Sequence, residues 1–268
     1  MVQCYPRFLI NNEEKDPKET QIGTDAGVEM RKYIREELIP KRKEELKTDK
    51  NKQDILSRLL RISFLHESKY DEERIVSNTM GHLMGAGETI NNANSKALDQ
   101  LLLKPEAMAL AVEAARLGDD DKLKRICWEA LRFNVPAVLP PRIVARDHMV
   151  NGHHFKKGGI VLVSRSAYFD PTFVESPWKI NCDRPNQIGQ RFHFGHGIHS
   201  CLGEHVAMAV MPMIIKELIL HTGGVCRASP GTRGEMNFDG GPYIEYFWVK
   251  FNGKKEKIEA EKSYGSII

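Results

Sequence analysis

The sequence has no charge of one sign to speak of. Thirty-nine Lys and Arg stand against 36 Asp and Glu, a formal net charge of +3, too small to suggest a nucleic-acid partner. Mild basic clusters at residues 41–50 and 254–262 suit a solvated helix face and a tail. Long apolar runs are missing too. The stretch 206–215 is the longest nearby, far short of the ~20 residues a membrane span needs. The first eleven residues hold no basic stretch leading into an apolar run, so neither a signal peptide nor a membrane anchor is expected there. Cysteine is scarce. Cys4, Cys127, Cys182, Cys201 and Cys226 form an odd set without paired spacing, which argues against a disulfide framework and for a reducing, cytoplasmic setting. No repeat of fixed period and no low-complexity linker divides the chain.

What is present is an ordinary globular composition: 268 residues, 41% hydrophobic and 28% charged, enough to bury a sizeable core. Residues 1–23 are polar and irregular in pattern. From Thr24, apolar positions at Val28, Met30, Tyr33, Ile34 and Leu38 predict a helix that Pro40 interrupts. A second helix is expected near 53–62, and a long one from about Asp71 to Leu103. A helix opened by Pro105 follows, and then one from Lys122 to about Phe133, capped by Gly118 and three aspartates. After Asn134 the texture changes. Val135-Pro-Ala-Val-Leu-Pro-Pro141 cannot be helical, and residues 142–145 and 160–163 predict short strands around the turn Asn151-Gly152. Residues 170–200 are dense in Pro, Gly and Asn. A helix returns over 202–221, and 234–251 alternates like a hairpin. The expected fold is mainly α with a small β-sheet, ending in a charged, frayed tail over 253–268.

The densest chemistry lies in Phe192-His-Phe-Gly-His-Gly-Ile-His-Ser-Cys-Leu-Gly203, followed by Glu204 and His205. One reading is a loop that happens to be polar. A second is a zinc site, since His and Cys are its usual ligands, although no second Cys/His pair is obvious elsewhere. The third explains the glycines as well. Gly195 and Gly197 let the backbone turn tightly and approach a flat ligand, and Phe194 can shield sulfur from water. Cys201 sits just before a helix, whose free N–H groups favour a thiolate.

Phe194-Gly-His-Gly-Ile-His-Ser-Cys-Leu-Gly203 resembles the heme-binding signature of the cytochromes P-450, Phe-Gly-x-Gly-x-His-x-Cys-x-Gly, at every fixed position. The form is that of the bacterial soluble branch. The resemblance implies heme b, with Cys201 as the iron ligand, His199 at a propionate, and Phe194, Gly195 and Gly203 in the cofactor-binding loop. A thiolate ligand pushes electron density toward oxygen. Trp128-Glu129-Ala-Leu-Arg132 contains Glu-x-x-Arg, worth little alone. Its place upstream of the cysteine loop implies the buried ionic network of the family, with Arg184 of Asp183-Arg-Pro-Asn186 as third member. Pro141-Arg142-Ile-Val matches the strand whose arginine binds a propionate, for which a guanidinium is suited.

Gly85-Ala86-Gly87-Glu88-Thr89 on the long helix resembles the acid–threonine pair on the distal side of the heme, where reduction of dioxygen requires delivered protons. Ala86 stands where glycine is usual, and Ile90 where Thr or Ser is common. The polar run Asn91-Asn92-Ala-Asn94 is unusual there. Val138 and Leu139 are expected on the substrate side.

The resemblance covers roughly 24–250, giving a partial heme domain over 24–252. Complete members have further helices and a larger sheet before the equivalent of Thr24, so an amino-terminally truncated fold is expected, with a second chain as one way to supply the rest. The functions implied are a monooxygenase acting on a small apolar substrate with a ferredoxin- or flavin-type electron donor, a partner-independent fatty-acid hydroperoxide isomerase or peroxygenase, or a non-enzymatic heme-binding fragment. The Glu88–Thr89 pair favours the first.

Overall fold

The computed structural model describes residues 16–63, 70–136, 141–184, 193–220, 224–228, 236–237, 244 and 246–253. Contacts divide the chain into two compact units. The described residues of the first are drawn from 16–92 and 236–247, and those of the second from 93–235 and 248–253. The fold class is mainly α with small sheets, as expected from the sequence.

In the first unit, α1 spans Pro17–Tyr33 and α2 spans Ile39–Thr48, joined by one π-helical turn, Ile34–Leu38. Helix α1 starts earlier than Thr24, so the expected irregular segment is helical from Pro17. Asp16 is the N-cap, accepting from the Lys18 amide at 2.7 Å, and Pro17 follows it at the position where a missing N–H costs nothing. Nor does Pro40 end the helix. A proline lacks the amide and collides with the carbonyl four residues back; the wider π turn just before it carries the chain past that conflict.

Helices α3 (Ile55–Ser63) and α4 (Glu72–Leu103) follow. Met30, Ile34, Ile39, Leu56, Leu60, Ile75, Val76 and Met80 form one buried apolar cluster. These are the apolar positions at helical spacing, drawn together because removing them from water is the dominant favourable term. Arg42 ties α2 to the start of α3 through Asp54 and the Ser57 hydroxyl.

The second unit begins within α4 and continues through α5 (Pro105–Leu117), α6 (Asp120–Phe133) and α7 (Glu204–Leu220). Helices α5, α6 and α7 pack on one another. Ala107, Ala111, Ala114 and Ala115 on α5, Leu123, Ile126 and Ala130 on α6, and Met211 and Ile215 on α7 are all buried. Gly118 closes α5 at φ 71°, the left-handed conformation that glycine adopts without penalty. Asp119 then caps α6, accepting from the Lys122 amide at 2.9 Å.

Among the described residues, three two-stranded antiparallel sheets complete the unit. Strand β1 (Pro141–Ile143) pairs with β4 (Ile160–Leu162), with Arg142 opposite Val161. The Asn-Gly turn belongs to an inner hairpin, β2 (His148–Val150) with β3 (His153–Phe155), nested between them. Asn151 and Gly152 have φ of 48° and 80°, as a tight hairpin turn requires. Strand β5 (Val225–Arg227) pairs with β6 (Val249–Phe251). Asn237 and Tyr246 bridge in the first unit; the remainder of the expected late hairpin, residues 1–15 and the tail from 254 lie outside the described residues.

Candidate functional site

The site is built where α6, an irregular stretch after β4 and the cysteine loop meet. Glu129 and Arg132 lie one helical turn apart on α6, both buried. Arg132 donates to Glu129 from Nε at 3.3 Å and from Nη2 at 3.2 Å. Arg184 approaches the same carboxylate, Nε to Oε2 at 3.1 Å, and the Asn181 amide adds a bond at 3.1 Å. Further guanidinium hydrogens reach main-chain carbonyls. Arg132 Nη1 donates to Tyr168 and Pro177 at 2.9 and 2.6 Å, and its Nη2 to Lys179 at 3.0 Å. Arg184 donates to Glu175, to Ser176 and to Lys179, the last two at 3.0 Å. Charges this deep are tolerated only when paired and fully hydrogen-bonded. The cluster meets that demand by gripping the irregular backbone of residues 168–181, which has no ladder of its own.

The cysteine loop runs alongside. Gly195 and Gly197 have φ of 74° and 80°, so the turns there need glycine. The Cys201 amide donates to the Phe194 carbonyl at 2.8 Å and the Ser200 amide to Gly197 at 2.9 Å, folding 197–199 into a 3-10 turn. A side chain on Gly203 would come 3.6 Å from the Cys201 sulfur, an ordinary contact, so the sulfur itself does not demand that glycine. Cys201 is exposed, and α7 begins three residues later. Phe194 packs edge-on against Trp128, ring centroids 5.2 Å apart. Trp128 and His193 lay within the motifs, but local spacing does not say that they touch.

The donor set tests what the loop could hold. Among the described residues no group of three or more His, Cys, Asp or Glu lies together as a metal cage. Cys201 offers a single sulfur, with apolar Ile198 and Leu202 beside it at 96% and 93% exposed. Among the described residues, nothing stands within 4 Å of where a side chain on Gly197 would project. One soft ligand amid open apolar surface suits a metal that brings its other ligands in a flat, apolar frame, and so fits heme better than zinc.

The other expected residues are distributed as follows. Arg142 is exposed on β1 and donates to the Pro141 carbonyl at 2.8 Å. Of His199 only the backbone is described, and Val138 and Leu139 lie outside the described residues. Glu88 and Thr89 belong to the first unit. Glu88 is half-buried, and loss of hydration pushes its carboxyl pKa up. The Thr89 hydroxyl donates to the Gly85 carbonyl of its own helix. Asn92, one turn on, is buried with neither side-chain atom hydrogen-bonded. No helix among the described residues is long and apolar enough to cross a membrane.

The family model of cytochrome P450 matches residues 15–221. Cytochrome P450-terp of a Pseudomonas species is 29% identical over 193 residues, covering 71% of this chain and 43% of the relative. The putative cytochrome P450 YjiB of Bacillus subtilis is 33% identical over 183 residues, covering 65% and 42%. Among solved structures, CYP109E1 from Bacillus megaterium in complex with corticosterone superposes with a TM-score of 0.72 at 24% identity, covering 93% of this chain and 64% of that one. The chain thus spans less than half the length of the curated relatives it matches.

Proposed function

The chain belongs to the cytochrome P450 family, and from that premise we propose that it forms the heme-thiolate portion of a monooxygenase that inserts one atom of dioxygen into a small apolar substrate. The observation that carries the proposal is Cys201: a lone, exposed cysteine at the head of α7, in a loop closed by its own amide bond to Phe194. When bound there, heme b supplies the redox-active iron. Everything else is the work of the chain. Cys201 would hold the metal through its sulfur, at the head of α7. Phe194, backed by Trp128, is assigned to shielding that sulfur once the heme covers the loop. Glu129, Arg132 and Arg184 fix the backbone on which the loop rests. Gly195 and Gly203 keep the loop close to the ligand plane, while Arg142 and His199 are assigned to the propionates.

Glu88 and Thr89 are assigned to proton delivery. A carboxyl whose pKa is raised by desolvation keeps its proton to a higher pH and can hand it on, and the Thr89 hydroxyl can relay it. Val138 and Leu139 are assigned to the substrate side. Electrons are to come from a ferredoxin- or flavin-type donor, and a second chain is one source of the remaining family segments. A cytoplasmic setting is part of the same reading.

The experiment is turnover under labelled dioxygen with a reduced ferredoxin-type donor and a panel of apolar substrates. Label in one product oxygen supports the monooxygenase. Conversion of a lipid hydroperoxide without any donor would replace it by the peroxygenase alternative. The chain's coverage of its relatives favours one second reading, a heme-binding fragment without turnover of its own. Stoichiometric heme with no conversion under any donor would select that reading.

A further inference from the structure

His193 stands immediately before the ten-residue signature, and its ring is held from two sides. Nε2 lies 3.4 Å from the Trp128 carbonyl on α6, and Nδ1 lies 3.5 Å from the Tyr168 hydroxyl. A carbonyl can only accept, so a neutral imidazole satisfies both contacts with its proton on Nε2, and Nδ1 then accepts from the Tyr168 O–H. The ring also packs against both neighbours, with centroids 5.7 Å from Trp128 and 5.3 Å from Tyr168.

Those two neighbours are the ends of the buried charge cluster. Trp128 precedes Glu129 in the sequence, and the Tyr168 carbonyl accepts from Arg132 Nη1 at 2.9 Å. On its other side His193 is bonded covalently to Phe194, whose carbonyl receives the Cys201 amide. A continuous path therefore runs from Arg132 through Tyr168 and His193 to Phe194 and the cysteine. We infer that His193 is the positioning residue through which the Glu129–Arg132–Arg184 cluster fixes the cysteine loop. The inference rests on the reading of Cys201 as the iron ligand only for its functional meaning; the mechanical coupling stands apart from it.

Both contacts are long, so each is worth no more than an ordinary hydrogen bond, about three- to tenfold in a local opening equilibrium. The test is site-resolved hydrogen exchange at the Cys201 amide in the full chain without heme, with the urea midpoint recorded beside it. His193→Ala is expected to speed exchange about tenfold. His193→Gln, which keeps a donor and an acceptor, is expected to restore it to within about threefold of the parent. Tyr168→Phe removes one hydroxyl, and is expected to speed exchange about threefold alone and not at all in the His193→Ala background. Unchanged exchange in His193→Ala, or additive effects of the two substitutions, would overturn the inference. Where His193→Ala fails to fold, Tyr168→Phe and His193→Gln still decide it. The heme-loaded variants give a second readout, the fraction of thiolate-type carbon-monoxide spectrum, expected to fall in His193→Ala and return in His193→Gln. Absence of that spectrum in the parent, with the exchange pattern intact, would remove the ligation reading and leave the coupling standing.

Discussion

Two glutamates in this chain each sit between two arginines, and the surroundings give them different tasks. In the first unit Glu73 takes Arg31 at 2.6 Å and also Arg35; in the second Glu129 takes Arg132 and Arg184. The side chain of Glu73 is 56% exposed and that of Glu129 is 3%. At the surface, water and salt replace most of what the pair supplies, and such contacts contribute about 0–1 kcal/mol. In the interior the charges cannot be left alone, and the guanidinium hydrogens of Arg132 that do not reach Glu129 are directed at main-chain carbonyls. The same two residue types form a solvated surface pair in one place and a buried clamp on the backbone of residues 168–179 in the other. The lesson is that a spacing such as Glu-x-x-Arg acquires meaning only from what surrounds it.

The comparison can be broken most strongly at Arg132. Arg132→Met is expected to lower unfolding free energy by about 3–5 kcal/mol, since it leaves a buried carboxylate short of a partner and takes a donor from each of the Tyr168, Pro177 and Lys179 carbonyls. Urea unfolding measures it, and a loss as small as that of a surface pair would contradict the contrast. An intermediate case sharpens it. Asp99 is buried, but its partner Arg227 is a quarter exposed, so Asp99→Asn is expected to cost about 1–3 kcal/mol in the same assay.

Lys96 supplies a pH test of burial itself. Its amine donates to the Val135 carbonyl at 3.2 Å, and desolvation lowers its pKa from 10.5 to about 8. The folded state therefore binds fewer protons than the unfolded chain between those values, and stability should rise as pH climbs from about 8 toward 10.5. Urea midpoints across that window should rise more steeply in the parent than in Lys96→Met; identical slopes would contradict the assignment. Smallest of all is Glu73→Gln, expected to change stability by less than about 1 kcal/mol, with the difference fading as salt is raised.

Much of this was legible in the sequence because it is local. The apolar spacing of Met30, Ile34, Leu56, Leu60, Ile75 and Met80 marks buried helix faces, and the Asn151-Gly152 pair marks a hairpin turn. The grouping of Glu129, Arg132 and Arg184 was implied by the family resemblance and not by local spacing. The start of α1 escaped because its first turn is exposed and carries no apolar period, leaving only Asp16 and Pro17 as signals. The π turn before Pro40 escaped because a proline in a helical pattern is ordinarily a stop. His193 and Tyr168 escaped for a different reason: they are 25 residues apart, and His193 and Trp128 are 65 apart, distances over which no periodicity speaks. Asn92 is buried without a hydrogen-bonding partner, and nothing in the structure explains it.

The ligation of iron by Cys201 is tested most directly by the absorption spectrum of the reduced, carbon-monoxide-bound chain after heme supplementation, recorded beside Cys201→Ser. The account expects a strongly red-shifted Soret band in the parent and its loss in Cys201→Ser. A band typical of histidine-ligated or free heme in the parent, or the same red-shifted band in both proteins, would contradict it.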